Sequence, residues 1–209
     1  MNSAKMFSDY LDIMELIAIR ESRSIGRYSL KDALGISEGK TRSRLKALLS
    51  EGIIKAGPNG ASITNKGEII LENELKSKNI KKYIFYAQPI LEAGKNNYIF
   101  QVGEALRKPI RWVELRDEAI RGGATSSIFI VEDKGKLAVP GVYPDLEEAD
   151  KNICSFLKTN FHIGKEDLII IASSQDRWGG LKGGLRVIYI LNLEGRSRLT
   201  SVTGVNDVL

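Results

Sequence analysis

The sequence predicts a two-domain protein of the α+β or α/β class, in which a small helical domain precedes a mixed α/β sandwich domain. Two changes along the chain indicate this division. Residues 1–82 show mainly the 3.6-residue spacing of helices, whereas later residues alternate between apolar strand-like runs and helical segments. Residues 1–82 also contain 15 Lys and Arg against 10 Asp and Glu, whereas residues 83–209 contain 16 of each. We therefore expect the excess positive charge to lie on the first domain.

The composition is that of a folded chain that we expect to form without disulfide bonds or a structural metal ion. Of the 209 residues, 43% are hydrophobic and 27% are charged, with a net charge of +5, which is ordinary for a globular protein. No apolar run approaches about 18 residues and no signal-peptide pattern occurs, so we expect a cytoplasmic protein without membrane contact. With one Cys and one His, we expect no disulfide, metal site or cofactor. A Cys154–His162 catalytic pair is disfavoured because Cys154 falls on the buried face of a predicted helix.

Two helices are predicted at the start of the chain. The stretch "FSDYLDIMELIAIRES" has apolar residues at helical spacing after Ser8, which is the expected N-cap. The following "GRY" is expected to interrupt the helix. The stretch "SLKDALG" then predicts a short helix with Ser29 and Asp32 in capping-box positions and Gly35 at its end.

A third helix, a β-hairpin and a fourth helix follow. Ser37 is the expected N-cap of a helix that runs to Glu51 and stops at Gly52. The runs "IIKAG" and "ASIT" flank "PNG", which predicts a hairpin because Pro presets φ and Asn-Gly accepts positive φ. A connector helix is expected from about residue 65 to about residue 80.

This order of elements resembles the winged helix-turn-helix DNA-binding domains. The run "RSRLKALLSEGIIKAG" is similar to their recognition helix as it leads into the first strand of the wing. The resemblance implies that the third helix enters the major groove of double-stranded DNA and that the hairpin lies beside it.

Helix geometry predicts which residues contact DNA. The core face of the third helix is expected to contain Thr41, Leu45, Leu48 and Leu49, while small residues on the opposite face let the helix enter a groove about 12 Å wide. The predicted groove contacts are Lys40, Arg42, Ser43 and Arg44, and the predicted backbone contacts are Lys46, Lys55 and Asn59. Two alternatives stay open: the basic face meets solvent or an acidic protein, and the Arg42 stem packs over the core.

The second half predicts alternating strands and helices. "KKYIFYA" and "NNYIFQVG" predict strands, and "WVELRDEAIRGGA" predicts a helix with Val113, Ala119 and Ile120 on its inner face. "TSSIFIVEDKGKLAVPG" predicts a hairpin that turns at residues 133–135. "DLEEADKNICSFLKTNF" predicts one amphipathic helix, "DLIIIASS" a central strand covered on both faces, and "LKGGLRVIYIL" a further helix.

A ligand pocket is predicted after the central strand, because ligands of open α/β sheets gather at the carboxyl ends of strands. Its candidate residues are Ser173, Ser174, Asp176, Gly179 and Gly180. The alternative for the same residues is a helix N-cap followed by close helix packing. Arg116 and Asp117 either pair on a helix surface or line the same cleft. The stretch has neither a dinucleotide fingerprint nor a Walker lysine.

The chain as a whole resembles a family of archaeal proteins with an N-terminal winged helix and a C-terminal α/β domain of unknown function. The resemblance is carried by "ELRDEAIRGGATSSIFIVEDKGKLAVPGV" and "DLIIIASSQDRWGGLKGGL". It implies a transcriptional regulator and assigns no ligand.

These observations together predict a DNA-binding transcriptional regulator that is not an enzyme. We expect a homodimer on near-palindromic sites, in which residues 83–209 bind a small-molecule effector or mediate dimerisation. Two alternatives remain at this stage. One is an adaptor or general nucleic-acid binder that uses the basic helix, and the other is an enzyme with its chemistry at residues 174–184.

Overall fold

A computed structural model describes residues 9–202 except residues 92 and 108, with side chains described as far as residue 193. Within this range the chain forms a helical segment with a small hairpin, followed by a five-stranded antiparallel sheet with helices on both faces. The class is therefore α+β.

The first two helices form as expected but begin at other residues. Helix α1 (Tyr10–Glu21) follows Asp9, whose backbone N–H donates to the Asp12 carboxylate at 2.8 Å. Ser8, the predicted cap, lies outside the described residues. Helix α2 (Arg27–Leu34) is capped by Gly26, so "GRY" enters the helix instead of interrupting it. The predicted capping box at Ser29 and Asp32 is wrong because both residues lie inside the helix.

The third helix and the hairpin match the predicted pattern. Helix α3 (Glu38–Ser50) is capped by Ser37, which accepts the backbone N–H of Lys40 at 3.4 Å. Strands β1 (Ile54–Gly57) and β2 (Gly60–Ile63) pair antiparallel across a two-residue turn. Ile25 joins the edge of β2 through reciprocal hydrogen bonds with Ala61, both at 2.9 Å. This approach requires a glycine at position 60, where a Cβ atom would lie 2.2 Å from the Ile25 carbonyl oxygen.

The connector helix leads directly into the sheet. Helix α4 (Asn65–Ser77) is capped by Thr64, whose hydroxyl accepts the Gly67 N–H at 3.1 Å. Strand β3 (Ile80–Tyr86) begins three residues after the helix ends and runs across the predicted division between residues 82 and 83.

The sheet has the order β3-β4-β7-β5-β6, and every neighbouring pair is antiparallel. Its other strands are β4 (Asn96–Val102), β5 (Ser126–Asp133), β6 (Lys136–Ala138) and β7 (Leu168–Ser174). Strand β7 lies between β4 and β5 and runs in the direction opposite to both. Strand β7 is the central strand and is buried along its whole length, as predicted.

Helices cover both faces of the sheet. Helices α5 (Trp112–Gly122) and α8 (Arg177–Val202) lie with α1 on one face, over Tyr98 and Phe100. Helix α7 (Lys151–Asn160) covers the other face, where Leu157 packs with Ile171.

Two predicted helices differ in detail. The single helix expected around residues 145–161 is divided into α6 (Leu146–Ala149) and α7, because Asp150 is extended and its carboxylate caps α7. In α5, Ala119 faces inward as predicted, but Val113 is 62% exposed and Ile120 is 48% exposed. The rotation of α5 follows from its contact with α8, where a Cβ atom on Gly122 would lie 2.6 Å from the Cα of Gly183.

One hydrophobic core joins the helical segment to the sheet. Buried side chains of α1, such as Ile17, belong to the same cluster as Phe100 of β4 and Leu185 of α8. Glu21 at the end of α1 accepts a hydrogen bond from the Tyr98 hydroxyl at 2.6 Å and pairs with Arg177 at 2.6 Å. Among the described residues, the longest apolar helical stretch falls short of what a membrane crossing needs.

Candidate nucleic-acid interface

The outer face of α3 presents the predicted cations to solvent. Lys40, Ser43 and Lys46 are exposed, and neither lysine forms an ion pair within the described part of the chain. Arg42 has 67% of its side chain exposed and pairs with Glu38, one turn earlier, at 3.1 Å. The alternative in which Arg42 packs over the core is therefore not what the structure shows.

Arg44 takes a different position from its neighbours. Its Nη2 lies 2.8 Å from an Asp12 oxygen and its Nε lies 2.7 Å from a Glu15 oxygen, so the guanidinium spans two carboxylates of α1. Only 27% of the side chain is exposed. The groove contact predicted for Arg44 does not fit this geometry, because the fork of donors is directed at α1. Arg44 instead fixes the position of α3 on α1.

The carboxylates beneath Arg44 are deeply buried. Glu15 is 2% exposed, and its Oε1 has no hydrogen-bond partner among the described residues. Burial raises the pKa of Glu15 to about 7, although the charge and hydrogen bond of Arg44 act in the opposite direction. Desolvation therefore outweighs the ion pair, as is common for a buried carboxylate.

The inner face of α3 is narrower than predicted. Thr41 and Leu48 are buried, Leu45 is half-buried and Leu49 is 40% exposed. The placement of Leu49 in the core is wrong. Leu49 directly follows the buried Leu48, and the turn of about 100° between the two residues directs the Leu49 side chain away from the core.

The hairpin extends the exposed basic surface. Lys55 lies on β1 and Asn59 lies in the turn, and both are exposed. Lys55 forms no ion pair with any described residue. Because the hairpin is fixed to the segment before α2 through Ile25 and Ala61, its position relative to α3 is set by the fold.

Sequence reasoning missed an exposed tyrosine and a half-buried arginine in the first turn of α2. Tyr28 is 61% exposed, and the Arg27 guanidinium lies 5.0 Å from its ring centroid. Arg27 also pairs with Glu38 of α3 at 3.1 Å. The available signal was Gly26, since glycine is accepted at an N-cap and "RY" could then begin the helix.

The residues of the predicted C-terminal pocket have structural roles. Asp176 caps α8 by accepting the N–H groups of Trp178 and Gly179 at 2.7 and 2.9 Å. The Ser174 hydroxyl accepts the Gly180 N–H at 2.8 Å, and the Ser173 hydroxyl donates to Asn97.

The two glycines of that set bring α8 close to the rest of the fold. A Cβ atom on Gly179 or Gly180 would lie 2.4 or 2.5 Å from a backbone carbonyl oxygen. None of the five predicted pocket residues lines the cavity of about 500 Å³ that lies beside β5 and α5. The structure favours the alternative for this stretch, a helix N-cap followed by close packing.

Two other predicted groups are placed as follows. Arg116 and Asp117 approach to 3.4 Å on the surface of α5, and Arg116 also lines the cavity beside β5 and α5. Cys154 is buried, and burial raises the pKa of its thiol, whereas His162 is exposed in a loop.

Comparisons with known proteins give a family similarity for the second half of the chain and a structural similarity for most of it. Residues 93–191, a little under half of the chain, match the family model described as a domain of unknown function, DUF4443. No curated protein matches the sequence.

A solved structure, the hypothetical protein PH0730 from Pyrococcus horikoshii OT3, is 22% identical with a TM-score of 0.65 over 87% of this chain and 93% of that chain. A second, titled S. agalactiae BusR in complex with its busAB-promotor DNA, is 16% identical over 90% of this chain and 98% of that chain. Its TM-score of 0.22 is too low to support any argument. The comparisons therefore show that this chain shares its fold with PH0730 and that residues 93–191 are similar to DUF4443.

Proposed function

We propose that the protein is a DNA-binding transcriptional regulator whose N-terminal segment is a winged helix-turn-helix domain. Helix α3 is the recognition helix, and the β1–β2 hairpin is the wing. The observation that carries this proposal is the outer face of α3. Lys40 and Lys46 lie there without ion pairs among the described residues. Arg44 fixes the position of the same helix through its ion pairs with two carboxylates of α1.

The side chains divide into three roles. Lys40, Arg42 and Ser43, in the first two turns of α3, face base edges in the major groove. Lys46 at the side of α3 and Lys55 and Asn59 on the hairpin contact phosphates, which fix register without reading sequence. Arg44 positions the helix and contacts no base.

We further propose a cytoplasmic homodimer whose second half binds an effector or joins the two copies, without an enzymatic role. This proposal is supported at the predicted pocket, where the hydroxyls of Ser173 and Ser174 and the Oδ1 of Asp176 are engaged in hydrogen bonds within the fold. A homodimer suits a single short recognition helix, because two half-sites give the affinity that one helix lacks.

Selection of genomic fragments by the purified full-length protein at physiological salt tests the proposal. We expect enrichment of a few fragments that share a near-palindromic motif. Ser43→Ala should then relax the preference at one base position of each half-site, by roughly 1–3 kcal/mol.

The matched control is Lys165→Ala, which changes an exposed residue of the second half that has no ion pair among the described residues. It should leave both affinity and motif unchanged. Binding to all fragments alike would instead indicate a general nucleic-acid binder. Absence of binding would contradict the proposal and favour an adaptor that meets an acidic protein.

A further inference from the structure

A cavity of about 500 Å³ lies at an open edge of the sheet, where β5, α5 and the loop after β6 meet. Strand β6 pairs only with residues 131–133 of β5, so the first five residues of β5 have a strand neighbour on one side alone. The first turn of α5 and the loop after β6 close the other sides. No residue that lines this cavity is part of the proposed DNA interface.

The walls of the cavity are formed before any ligand enters. Val139 and Tyr143 close the loop after β6 through reciprocal backbone hydrogen bonds at 2.8 and 3.0 Å. On the opposite wall, the rings of Trp112 and Phe129 lie 5.8 Å apart. A binding site with fixed walls needs little ordering when a ligand enters.

Most of the lining is apolar, and its polar groups point to an anion. Arg116 is the one charged residue among the described side chains that line the cavity, and 56% of its side chain is exposed. Its contact with Asp117 is long, at 3.4 Å, so most of its N–H donors stay available. The hydroxyls of Ser126 and Ser127 are buried without a hydrogen-bond partner among the described residues. The cavity also meets α5 at its N-terminal turn, where the helix dipole favours negative charge.

We propose that this cavity binds a small organic carboxylate with an apolar body. The body packs between Trp112, Phe129 and Tyr143, and the carboxylate accepts hydrogen bonds from Arg116 and from a serine hydroxyl. This arrangement gives one of the two orphaned hydroxyls an acceptor and buries the exposed side chain of Val113 at the rim, which is 62% exposed in the free protein. The inference rests on the proposed effector role of the second half and names the chemical class of the effector, and its test can fail separately because this binding does not depend on DNA.

Calorimetric titration of the full-length protein with 2-naphthylacetate, octanoate and the neutral 2-naphthaleneethanol tests the inference. We expect naphthylacetate to bind at least about tenfold more tightly than the alcohol, because a charge-assisted hydrogen bond contributes about 1.5–3 kcal/mol. Arg116→Ala should reduce this preference to less than about threefold. Arg111→Ala, which removes an exposed arginine of the same helix that pairs with Glu114 outside the cavity, should leave the preference unchanged.

Val113→Asp provides a second variant at an exposed position, where it places a negative charge at the rim and should weaken carboxylate binding about tenfold without changing thermal stability. Equal affinity for acid and alcohol, an unchanged preference in Arg116→Ala, or no binding of either carboxylate would overturn the inference. Sedimentation of the same variant gives one more outcome. If Val113→Asp converts a dimer to a monomer, the groove is an interface between copies and the carboxylate proposal fails.

Discussion

At the scale of single residues, α3 carries cations of similar chemistry in two different environments. Lys40 and Lys46 are directed to solvent, whereas Arg44, between them in sequence, is directed at buried carboxylates of α1. The helical period alone places Arg44 at the flank of the groove-facing surface. Its environment depends on Asp12 and Glu15, which are about 30 residues away in sequence. Sequence spacing therefore predicts the exposure of Lys40 and Lys46 but does not reveal the distant partners of Arg44.

Arg44→Ala should destabilise the fold, because it leaves Asp12 and Glu15 without their cation in a buried position. We expect the free energy of unfolding to fall by about 3–5 kcal/mol, as for other broken buried ion pairs. Arg42→Ala removes the same group from an exposed i,i+4 pair and should change stability by less than about 0.5 kcal/mol. Urea unfolding of the two variants measures the difference. Equal stability losses would contradict the structural role of Arg44.

Glu15 should make stability depend on pH. Its folded pKa of about 7 lies above the ordinary value of 4.5, so the folded state holds a proton that the unfolded state releases between these pH values. The free energy of unfolding should therefore fall as pH rises from about 4.5 to about 7, by about 2–3 kcal/mol from this residue.

Glu15→Gln removes this titration, so the stability difference between variant and parent should change across that range and level off above it. Urea unfolding at a series of pH values measures the difference. A constant difference between the two proteins from pH 4.5 to 8 would show that Glu15 titrates normally.

At the scale of elements, most helices and strands follow from local pattern, and the errors have local causes. The helix ends at Ser37, Gly35 and Gly52 were predicted correctly. The Ser37 side chain caps α3, and the two glycines, which have no side chain, adopt the positive φ found after a helix. The break at Asp150 went unrecognised because the apolar spacing continues through it. The inner face of α5 was misjudged because the contact with Gly183, which sets its rotation, is a tertiary feature.

The glycines of α8 and α3 should respond oppositely to substitution. Gly183→Ala would place a Cβ atom 2.6 Å from the Ala119 carbonyl oxygen, so we expect a loss of about 1–3 kcal/mol in the free energy of unfolding. Gly39→Ala meets no atom within 4 Å and should stabilise α3 by up to about 1 kcal/mol. Thermal unfolding of both variants tests this contrast. Similar effects of the two substitutions would contradict the close approach of α8 to α5.

At the scale of the whole molecule, the sheet topology and the shared core could not be predicted from sequence. Hydrophobic runs located the strands, but the antiparallel insertion of β7 between β4 and β5 joins segments far apart in the chain. The charge boundary near residue 82 suggested two separate units. Nevertheless, Ile17 of α1 packs in one cluster with side chains of β4 and α8. The predicted C-terminal pocket stays a prediction, and two of its residues, Gly179 and Gly180, lie where α8 closely approaches the backbone of Gly123 and Ala172.

A shared core implies that the described chain unfolds as one unit. Ile17→Ala lies in α1, whereas both tryptophans, Trp112 and Trp178, lie in the second half. The substitution should lower stability by about 2–5 kcal/mol and shift the tryptophan fluorescence transition together with the circular dichroism transition. An unshifted fluorescence transition would show that the two halves unfold independently.

The central claim is that the outer surface of α3 binds DNA phosphates and bases, and the salt dependence of binding tests it most directly. The measurement is the slope of log affinity against log salt concentration for a selected duplex, by fluorescence anisotropy. Lys46→Ala/Lys55→Ala should reduce the magnitude of this slope by up to about 2, because each lost phosphate contact releases about one fewer counterion. Lys95→Ala/Lys165→Ala removes the same charge from exposed positions of the second half and should leave the slope as in the parent protein. Equal slopes for the two double variants would contradict the account.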